Sequence, residues 1–338
     1  MRTWHLFPGG NTAHGFVGFF QNLRDHARRT VILKGGPGVG KSTLMRDVGR
    51  HYEELGMEVG YFHCSGDPDS LDAVLVREAD FLILDGTAPH IVDPVCPGAR
   101  DGILNLGVCL DESVLSAQEK EISLLQKEIS SCYAQAYHDL RSALEMRNDA
   151  ALVYRAALSE KEERLLCGEI SALIPSGQNG MDSHAFCQAI TYQGVLQRMD
   201  SVLQGNIYCL DVPWGFDADG ILRRVWEAAW QRGVRRAAFH DPLNAGMLSH
   251  VRVGDAVFTT AVMLDEKVFS PSLEKAVLRR HSARLAFDRA ACALMENQAV
   301  EALSQAKEKH DALERYYIDA MDYDRLNEIK RRFLKNLP

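Results

Sequence analysis

The sequence has 338 residues, of which 46% are hydrophobic and 25% are charged, and its formal net charge at pH 7 is −8. A chain of this length exceeds one ordinary hydrophobic core, so we expect two domains. The net negative charge gives no sign of the basic surface that binds DNA or RNA, which argues against nucleic acid as a partner. No apolar run approaches the roughly 20 residues of a membrane-spanning helix, so no membrane span is expected. The opening residues lack the layout of a signal peptide and the eight cysteines are scattered singly, which predicts a cytoplasmic protein.

A glycine-rich phosphate-binding motif occupies residues 35–42. These residues fit the pattern G-x-x-x-x-G-K-[ST], with a β-branched apolar run before it and a predicted helix from Ser42 to about Leu55 after it. Glycines let backbone N–H groups wrap phosphates, and the following helix presents its positive end to them. We expect Lys41 to reach the β- and γ-phosphates and the Ser42 hydroxyl to bind Mg²⁺. The predicted nucleotide-binding residues are Gly35, Gly36, Pro37, Gly38, Val39, Gly40, Lys41, Ser42 and Thr43.

A carboxylate after a second apolar run predicts the other metal ligand. Residues 81–84 have the pattern of a buried strand, and Asp85 follows them, so we expect Asp85 to complete the Mg²⁺ site with Ser42. Gly86 stands where many ATPases place a catalytic Glu, so the group that activates water must come from elsewhere. The predicted catalytic residues are Lys41, Asp85 and His90. Other candidates near the phosphates, which could equally serve as turn or cap residues, are His63, Cys64, Asp67 and Asp93.

The two halves of the sequence match each other. Residues 31–84 align without a gap with residues 208–261, and the flanking residues 5–15 align with residues 184–194. Within this alignment the pair Phe62-His63 falls on Phe239-His240. The pattern predicts a tandem duplication of one α/β unit.

The phosphate chemistry is confined to the first copy. The motif residues align with residues of different chemistry: Gly40 with Asp217, Lys41 with Ala218 and Ser42 with Asp219. Asp85 aligns with Val262, so lysine and metal ligand are lost together. Two carboxylates at the place of the phosphates would repel them. We therefore expect the second copy to keep the fold without binding a nucleotide.

A long helix-forming segment follows each α/β unit, from about residue 116 to 172 and from about residue 272 to 334. Their narrow apolar seams predict antiparallel hairpins or short coiled coils. These segments either close the core or form arms that contact a partner or transmit the nucleotide state. The predicted organisation is a nucleotide-binding unit at 1–112, a helical arm at 113–175, a linker at 176–183, a degenerate unit at 184–266 and a C-terminal helical arm at 267–338.

Four segments carry a resemblance to a known family: GGNTAHGF at 9–16, LKGGPGVGKSTLM at 33–45, YFHCSGDPDSLD at 61–72 and LDGTAPHIVDP at 84–94. With them the chain resembles an uncharacterised family of bacterial P-loop ATPases that contain two tandem NTPase-like halves. The resemblance implies ATP binding and suggests hydrolysis, while residues 217–219 depart from a two-site pattern. The expected fold is α/β: a P-loop NTPase-type three-layer α/β/α sheet, tandemly duplicated, with long helical-hairpin insertions.

The leading functional hypothesis is a Mg²⁺-dependent ATPase with one active and one degenerate site. Its nucleotide state would change the arrangement of the halves or arms, and the arms would contact an unidentified protein or other macromolecule. The cofactors would be ATP and Mg²⁺, and ATP is favoured over GTP because the guanine motif Asn-Lys-x-Asp is absent from the sequence. The alternatives are a nucleotide or small-molecule kinase and a nucleotide-gated binding module with negligible turnover.

Overall fold

The computed structural model describes residues 3–88, 90–177, 182–261 and 267–337, and it shows an α/β protein with two large mixed sheets. The elements of the first half are, in chain order, β1 (Thr3–Leu6), β2 (Gly9–Thr12), β3 (Gly15–Gly18), α1 (Phe20–Asp25), β4 (Arg29–Lys34), α2 (Lys41–Glu54), β5 (Val59–His63), β6 (Leu71–Val76), β7 (Phe81–Asp85), β8 (Asp101–Asn105), α3 (Glu112–Ala117), α4 (Glu119–Ala157) and α5 (Glu160–Ser171). The elements of the second half are β9 (Ser183–Ala185), β10 (Gln188–Thr191), β11 (Gly194–Gln197), β12 (Asn206–Leu210), α6 (Asp219–Gln231), β13 (Arg236–His240), β14 (Leu248–Val253), β15 (Ala256–Thr259), β16 (Lys267–Phe269), α7 (Lys275–Arg280), α8 (Ser282–Asp319) and α9 (Tyr323–Lys335).

Each half builds a six-stranded sheet, and the two sheets have the same strand order. That order is β1-β5-β6-β7-β4-β8 in the first sheet and β9-β13-β14-β15-β12-β16 in the second. The third strand of each series, β6 or β14, runs antiparallel to both neighbours, and the other pairings are parallel. An irregularity of register recurs at the same place, between Phe62 and His63 and between Phe239 and His240. The expected α/β class is confirmed, and both sheets are mixed.

Strands β4 and β7 bring the glycine-rich loop and Asp85 to one edge of the first sheet. The two strands are parallel neighbours, and their continuous apolar runs are buried on both faces, as central strands require. The helix α2 follows the loop and buries Leu44, Val48 and Tyr52, which recur every four residues on one face. Because the carboxyl ends of parallel strands meet at the same edge, the loop after β4 lies beside the end of β7.

The layering differs from the expected α/β/α arrangement of each half. One face of the first sheet packs against α2 and α9, and the corresponding face of the second sheet packs against α5 and α6. The opposite faces share a buried cluster in which Ile32 and Phe62 of the first sheet join Phe239 and Val257 of the second. Each half therefore covers the other where an independent domain would need a second layer of helices.

The long helices α4 and α8 pack against each other in antiparallel orientation. Ion pairs join them near both ends, Lys309 with Glu128 at 2.6 Å and Arg284 with Asp149. Their apolar seams are buried in a common cluster that contains Ala136, Leu140, Ala143, Cys292, Ala299 and Leu303. The hairpin expected inside each arm is therefore replaced by a helix pair between the two arms, because each narrow seam is covered by the other one.

Each arm ends on the opposite half of the molecule. The helix α9 contributes Leu326 to the core of the first sheet, and α5 contributes Ile170 to the core of the second. An isolated bridge between Leu110 and Met321 fixes the C-terminal segment beside the first sheet. The C-terminal arm consequently lies next to the glycine-rich loop of the first half.

One element lies across an expected domain limit. The strand β16 pairs with β12 in the second sheet, although it begins at Lys267, where the C-terminal helical arm was expected to start. Residues 178–181 of the expected linker lie outside the described residues. In the ranges that the structure describes, no helix has both the length and the apolar character needed to cross a membrane.

Candidate functional site

The loop between β4 and α2 forms a cradle of backbone N–H groups. Gly38 and Gly40 have φ angles of 71° and 79°, in the left-handed region that glycine adopts most easily. The backbone N–H groups of Gly40, Lys41 and Ser42 meet no protein acceptor among the described residues. They lie at the N-terminal end of α2, where the partial positive charge of the helix also favours an anion. The predicted loop, residues 35–43, therefore has a geometry suited to binding an anion.

Lys41 connects this loop to the carboxylate of Asp85. Its ammonium donates to the carbonyl oxygens of Gly36 at 2.7 Å and Gly35 at 3.2 Å, and it lies 3.5 Å from Asp85 Oδ2. The side chains are shielded from water, with 10% of Lys41 and 13% of Asp85 exposed. The other oxygen of Asp85 accepts bonds from the N–H and the hydroxyl of Thr87, at 2.9 and 2.6 Å. The carboxylate is thereby held in a fixed orientation at the end of β7.

The expected magnesium ligands, Ser42 and Asp85, both lie at this edge of the first sheet. The Ser42 hydroxyl oxygen accepts a bond of 3.0 Å from the backbone N–H of Leu71, the first residue of β6. A hydroxyl and a carboxylate are the hard oxygen donors that Mg²⁺ binds, while waters and phosphate oxygens take its other positions. The donor set therefore fits Mg²⁺.

His90, the predicted catalytic histidine, is buried beside the carboxylate of Asp72. Its Nε2 lies 3.4 Å from Asp72 Oδ1, and the rings of Phe16 and Phe20 pack against the imidazole. Burial alone would lower the pKa of His90, but the carboxylate of Asp72, with a smaller contribution from Asp85, raises it above its ordinary value. The imidazole therefore lies within the electrostatic reach of both carboxylates.

Lys34 ties the segment that carries His90 to the first sheet. Its ammonium donates to the carbonyl oxygens of Gly86 at 2.8 Å and Val92 at 2.9 Å, and to the carboxylate of Asp93 at 3.0 Å. Asp93, a candidate from the sequence, is exposed and engaged in this ion pair. It therefore helps to hold the segment in place.

Asp72 is the polar residue at this edge that the sequence analysis did not single out. It lies at the register irregularity between β5 and β6, where an extra residue is accommodated and can be aimed away from the regular pleat. Only 3% of the residue is exposed, and its Oδ2 has no hydrogen-bond partner in the described part of the chain. The alignment of the two halves contains one indication that Asp72 belongs to the site. Asp72 aligns with Ser249, so a carboxylate is present at this position only in the half that contains Lys41.

The remaining candidates, His63, Cys64 and Asp67, lie at the end of β5 and in the turn that follows it. The Nδ1 of His63 bonds to the carbonyl of Pro68 at 2.9 Å, and its Nε2 bonds to the imidazole of His5 at 2.9 Å. Burial lowers the pKa of His63 to about 4, so the ring is neutral at pH 7. Burial raises the pKa of the Cys64 thiol well above its ordinary value, and Asp67 accepts a bond of 2.9 Å from a serine hydroxyl of the same turn. The hydrogen bonds of His63 and Asp67 hold the turn together.

The corresponding loop of the second half is closed by its own carboxylates. The Oδ1 of Asp217 accepts the backbone N–H of Asp219 at 2.9 Å, and the Oδ1 of Asp219 accepts that of Leu248 at 2.7 Å. Asp219 thus takes the place that Ser42 has in the first half, and an incoming phosphate would meet negative charge. Val262, which aligns with Asp85, lies outside the described residues.

The end of α8 and the helix α9 pack directly on the glycine-rich loop. A Cβ added to Gly36 would lie 2.5 Å from the ring of Tyr317, and one added to Gly38 would lie 2.7 Å from Cγ of Glu314. The ammonium of Lys330 lies against the last glycine of the loop, and burial lowers its pKa. The C-terminal arm therefore forms one wall of the candidate site.

Comparisons of the chain with protein-family models, with curated proteins and with solved structures give no match. The resemblance to P-loop ATPases therefore stays a prediction from the motifs.

Proposed function

We propose that the chain binds ATP with Mg²⁺ at residues 35–43 and hydrolyses the bond to the γ-phosphate. The observation that carries the proposal is the position of Lys41, which is held between the loop carbonyls and Asp85 at the start of α2. A shielded ammonium next to backbone N–H groups that meet no acceptor among the described residues favours a ligand with several negative charges. The β- and γ-phosphates of a nucleoside triphosphate are such a ligand, and Lys41 would serve them as a point charge.

Ser42 and Asp85 would hold the Mg²⁺ ion in this proposal. A bound Mg²⁺ would supply positive charge against the negative charge that develops on the phosphates during transfer. Thr87 supports this role, because its two hydrogen bonds fix one oxygen of Asp85 and leave the other beside Lys41. Metal and phosphates would thus be bound by groups from two adjacent strands.

We further propose that the two halves are copies of one P-loop unit and that only the first copy binds nucleotide. The common strand order and the repeated irregularity of register support the duplication. Loss of function in the second copy is supported by Asp217, whose carboxylate already occupies the N–H of Asp219 at the start of α6. A phosphate would have to displace that carboxylate and then remain beside it.

The contact of the C-terminal arm with the loop supports coupling between nucleotide state and arm position. Glu314 lies against Gly38, so a triphosphate in the loop would bring negative charge near this carboxylate, while the nearby Lys330 would be attracted. Binding and hydrolysis would therefore favour different arm positions, provided that the two states differ in their contacts with the arm. An arm that moves in this way could transmit the nucleotide state to a macromolecular partner.

The test is phosphate release from MgATP by the purified protein, with no acceptor or partner added. The wild type is compared with Lys41→Ala and with Lys161→Ala, which removes an exposed lysine on α5 as a matched control. We expect turnover and MgATP binding in the wild type and the control, and loss of both in Lys41→Ala. Tight MgATP binding by Lys41→Ala would refute the site. Binding without turnover in the wild type would refute hydrolysis and favour transfer to an acceptor.

A further inference from the structure

The proposed hydrolysis needs a group that takes a proton from the attacking water, and the residue after Asp85 cannot supply one. Gly86 has no side chain, and Asp85 is engaged with Thr87 and Lys41. The required group must lie at the same edge of the first sheet, reach the metal site and be able to accept a hydrogen bond.

Asp72 lies at this edge, between the two expected metal ligands. The residue before it, Leu71, donates its backbone N–H to the Ser42 hydroxyl at 3.0 Å. The residue after it, Ala73, pairs with the residue before Asp85 in the antiparallel register of β6 and β7. Chain connection on one side and strand register on the other thus place the backbone of Asp72 between the segments that contact Ser42 and lead into Asp85.

The two oxygens of Asp72 have different surroundings. One oxygen, Oδ1, lies 3.4 Å from Nε2 of His90, while Oδ2 is buried and makes no hydrogen bond of ordinary geometry to the described residues. The Cys64 thiol is the other titratable group that faces this carboxylate: burial and, after it, the negative charge of Asp72 raise the pKa of the thiol, so it stays protonated and adds no charge. A buried carboxylate oxygen without a partner is costly, and native proteins keep such groups where a ligand or a reaction uses them. His90 is itself fixed by two phenylalanine rings, which limits how far the carboxylate can turn.

We infer that Asp72 is the general base of the reaction and that His90 is a positioning residue for it, an inference that rests on the proposed ATPase function. The water oxygen forms a bond to the γ-phosphorus, and the bond from that phosphorus to the β,γ-bridging oxygen breaks. Oδ2 of Asp72 accepts a proton of the water and later releases it to solvent. The products are ADP and inorganic phosphate.

The second half of the molecule is consistent with this role. Ser249 stands at the corresponding register irregularity, and its hydroxyl donates to the carbonyl of Phe239 at 3.1 Å. A serine hydroxyl at neutral pH is a poor base, and this one is already engaged. The carboxylate is therefore present in the half that contains Lys41 and Ser42, and absent at the matching position of the other half.

The experiment measures kcat, KM and the Mg²⁺ requirement for ATP hydrolysis, together with MgATP binding, for Asp72→Asn and His90→Gln. Asp69→Asn is the matched control, since it removes an exposed carboxylate three residues away. We expect Asp72→Asn to bind MgATP within about threefold of the wild type and to lose roughly 10²–10⁴-fold in kcat. His90→Gln should lower kcat without changing KM. The double variant should be no slower than Asp72→Asn alone, because both changes act on one step.

Several outcomes would overturn the inference. Wild-type kcat in a folded Asp72→Asn would exclude a base at this position. A raised Mg²⁺ requirement in Asp72→Asn would make Asp72 a metal ligand instead. Losses in kcat that multiply in the double variant would show that His90 and Asp72 act independently of each other. If Asp72→Asn does not fold, His90→Gln still tests the inference, since an unchanged kcat in that variant would refute the positioning of Asp72 by His90. Absence of MgATP binding in the wild type would refute the proposed function itself, which distinguishes the two failures.

Discussion

Replacing His250 with asparagine should make the protein less sensitive to acid. His250 lies on β14 in the second sheet, and only 2% of the residue is exposed. Its Nδ1 bonds to the Thr259 hydroxyl at 2.6 Å, and its Nε2 has no partner among the described residues. Burial lowers the pKa of this histidine to about 4, and the smaller, opposite influence of Asp241 does not restore it. The folded protein therefore holds His250 in its neutral form.

The sign of the pH dependence follows from this lowered pKa. The unfolded chain takes up the proton near the ordinary pKa of about 6.5, whereas the folded chain takes it up only near 4. The contribution of the neutral His250 ring to the free energy of unfolding is therefore fully present above pH 6.5 and is lost as the pH falls toward 4. At about 1.36 kcal/mol for each pKa unit, the loss due to His250 between pH 7 and pH 5 is about 2 kcal/mol.

Urea denaturation at pH 7, 6 and 5 measures this effect. The free energy of unfolding of His250→Asn should fall between pH 7 and pH 5 by about 2 kcal/mol less than that of the wild type. His138→Asn, at an exposed position on α4, is the control and should show the wild-type dependence. Equal pH dependence in His250→Asn and the wild type would refute the reasoning, because the ring would then not be buried in its neutral form.

Three further changes test other parts of the structure. Asp101→Asn removes the 2.8 Å ion pair of Arg24, whose side chain is only 5% exposed, so urea denaturation should show a loss of about 3–5 kcal/mol; the exposed control Asp80→Asn should lose less than about 1 kcal/mol. Asp219→Ala should lower stability by about 1–2 kcal/mol through its lost hydrogen bonds, while calorimetry should find MgATP affinity within about twofold of the wild type; a large loss of affinity would mean that the second half contributes to the site. Tyr317→Ala should raise amide hydrogen exchange in the glycine-rich loop by about tenfold, and unchanged exchange would show that the arm does not protect the loop.

The central part of the candidate site could be predicted from the sequence because its geometry is local. A glycine-rich turn between an apolar strand and a helix fixes the direction of its own backbone N–H groups, and Lys41 follows directly in the same segment. Asp85 could be predicted because a buried strand places the residue after it at the carboxyl edge of the sheet. His90 could be proposed only by position, and its burial beside a second carboxylate was not visible in the sequence.

The role of Asp72 and the pairing of α4 with α8 between the two arms could not be predicted, because both depend on contacts between distant segments. Asp72 lies in an apolar strand, and its place at the candidate site depends on the antiparallel register of β6 against β7 and on the irregularity against β5. The apolar seams predicted long helices but left open which helix would cover each seam. A hairpin within one arm and a pair between two arms bury the same residues, so hydrophobic patterning does not distinguish them.

The sequence by itself determined the residues of the glycine-rich loop, the different residues that align with them at 217–219 and the α/β class. Each of these depends on residue identity at fixed spacing along the chain. The tertiary structure decided which surfaces meet: the C-terminal arm on the loop of the first half, the two sheets over a common core, and the Asp72 carboxylate beside His90. These contacts depend on burial of apolar surface, which is nearly non-directional and selects partners only when the whole chain is packed.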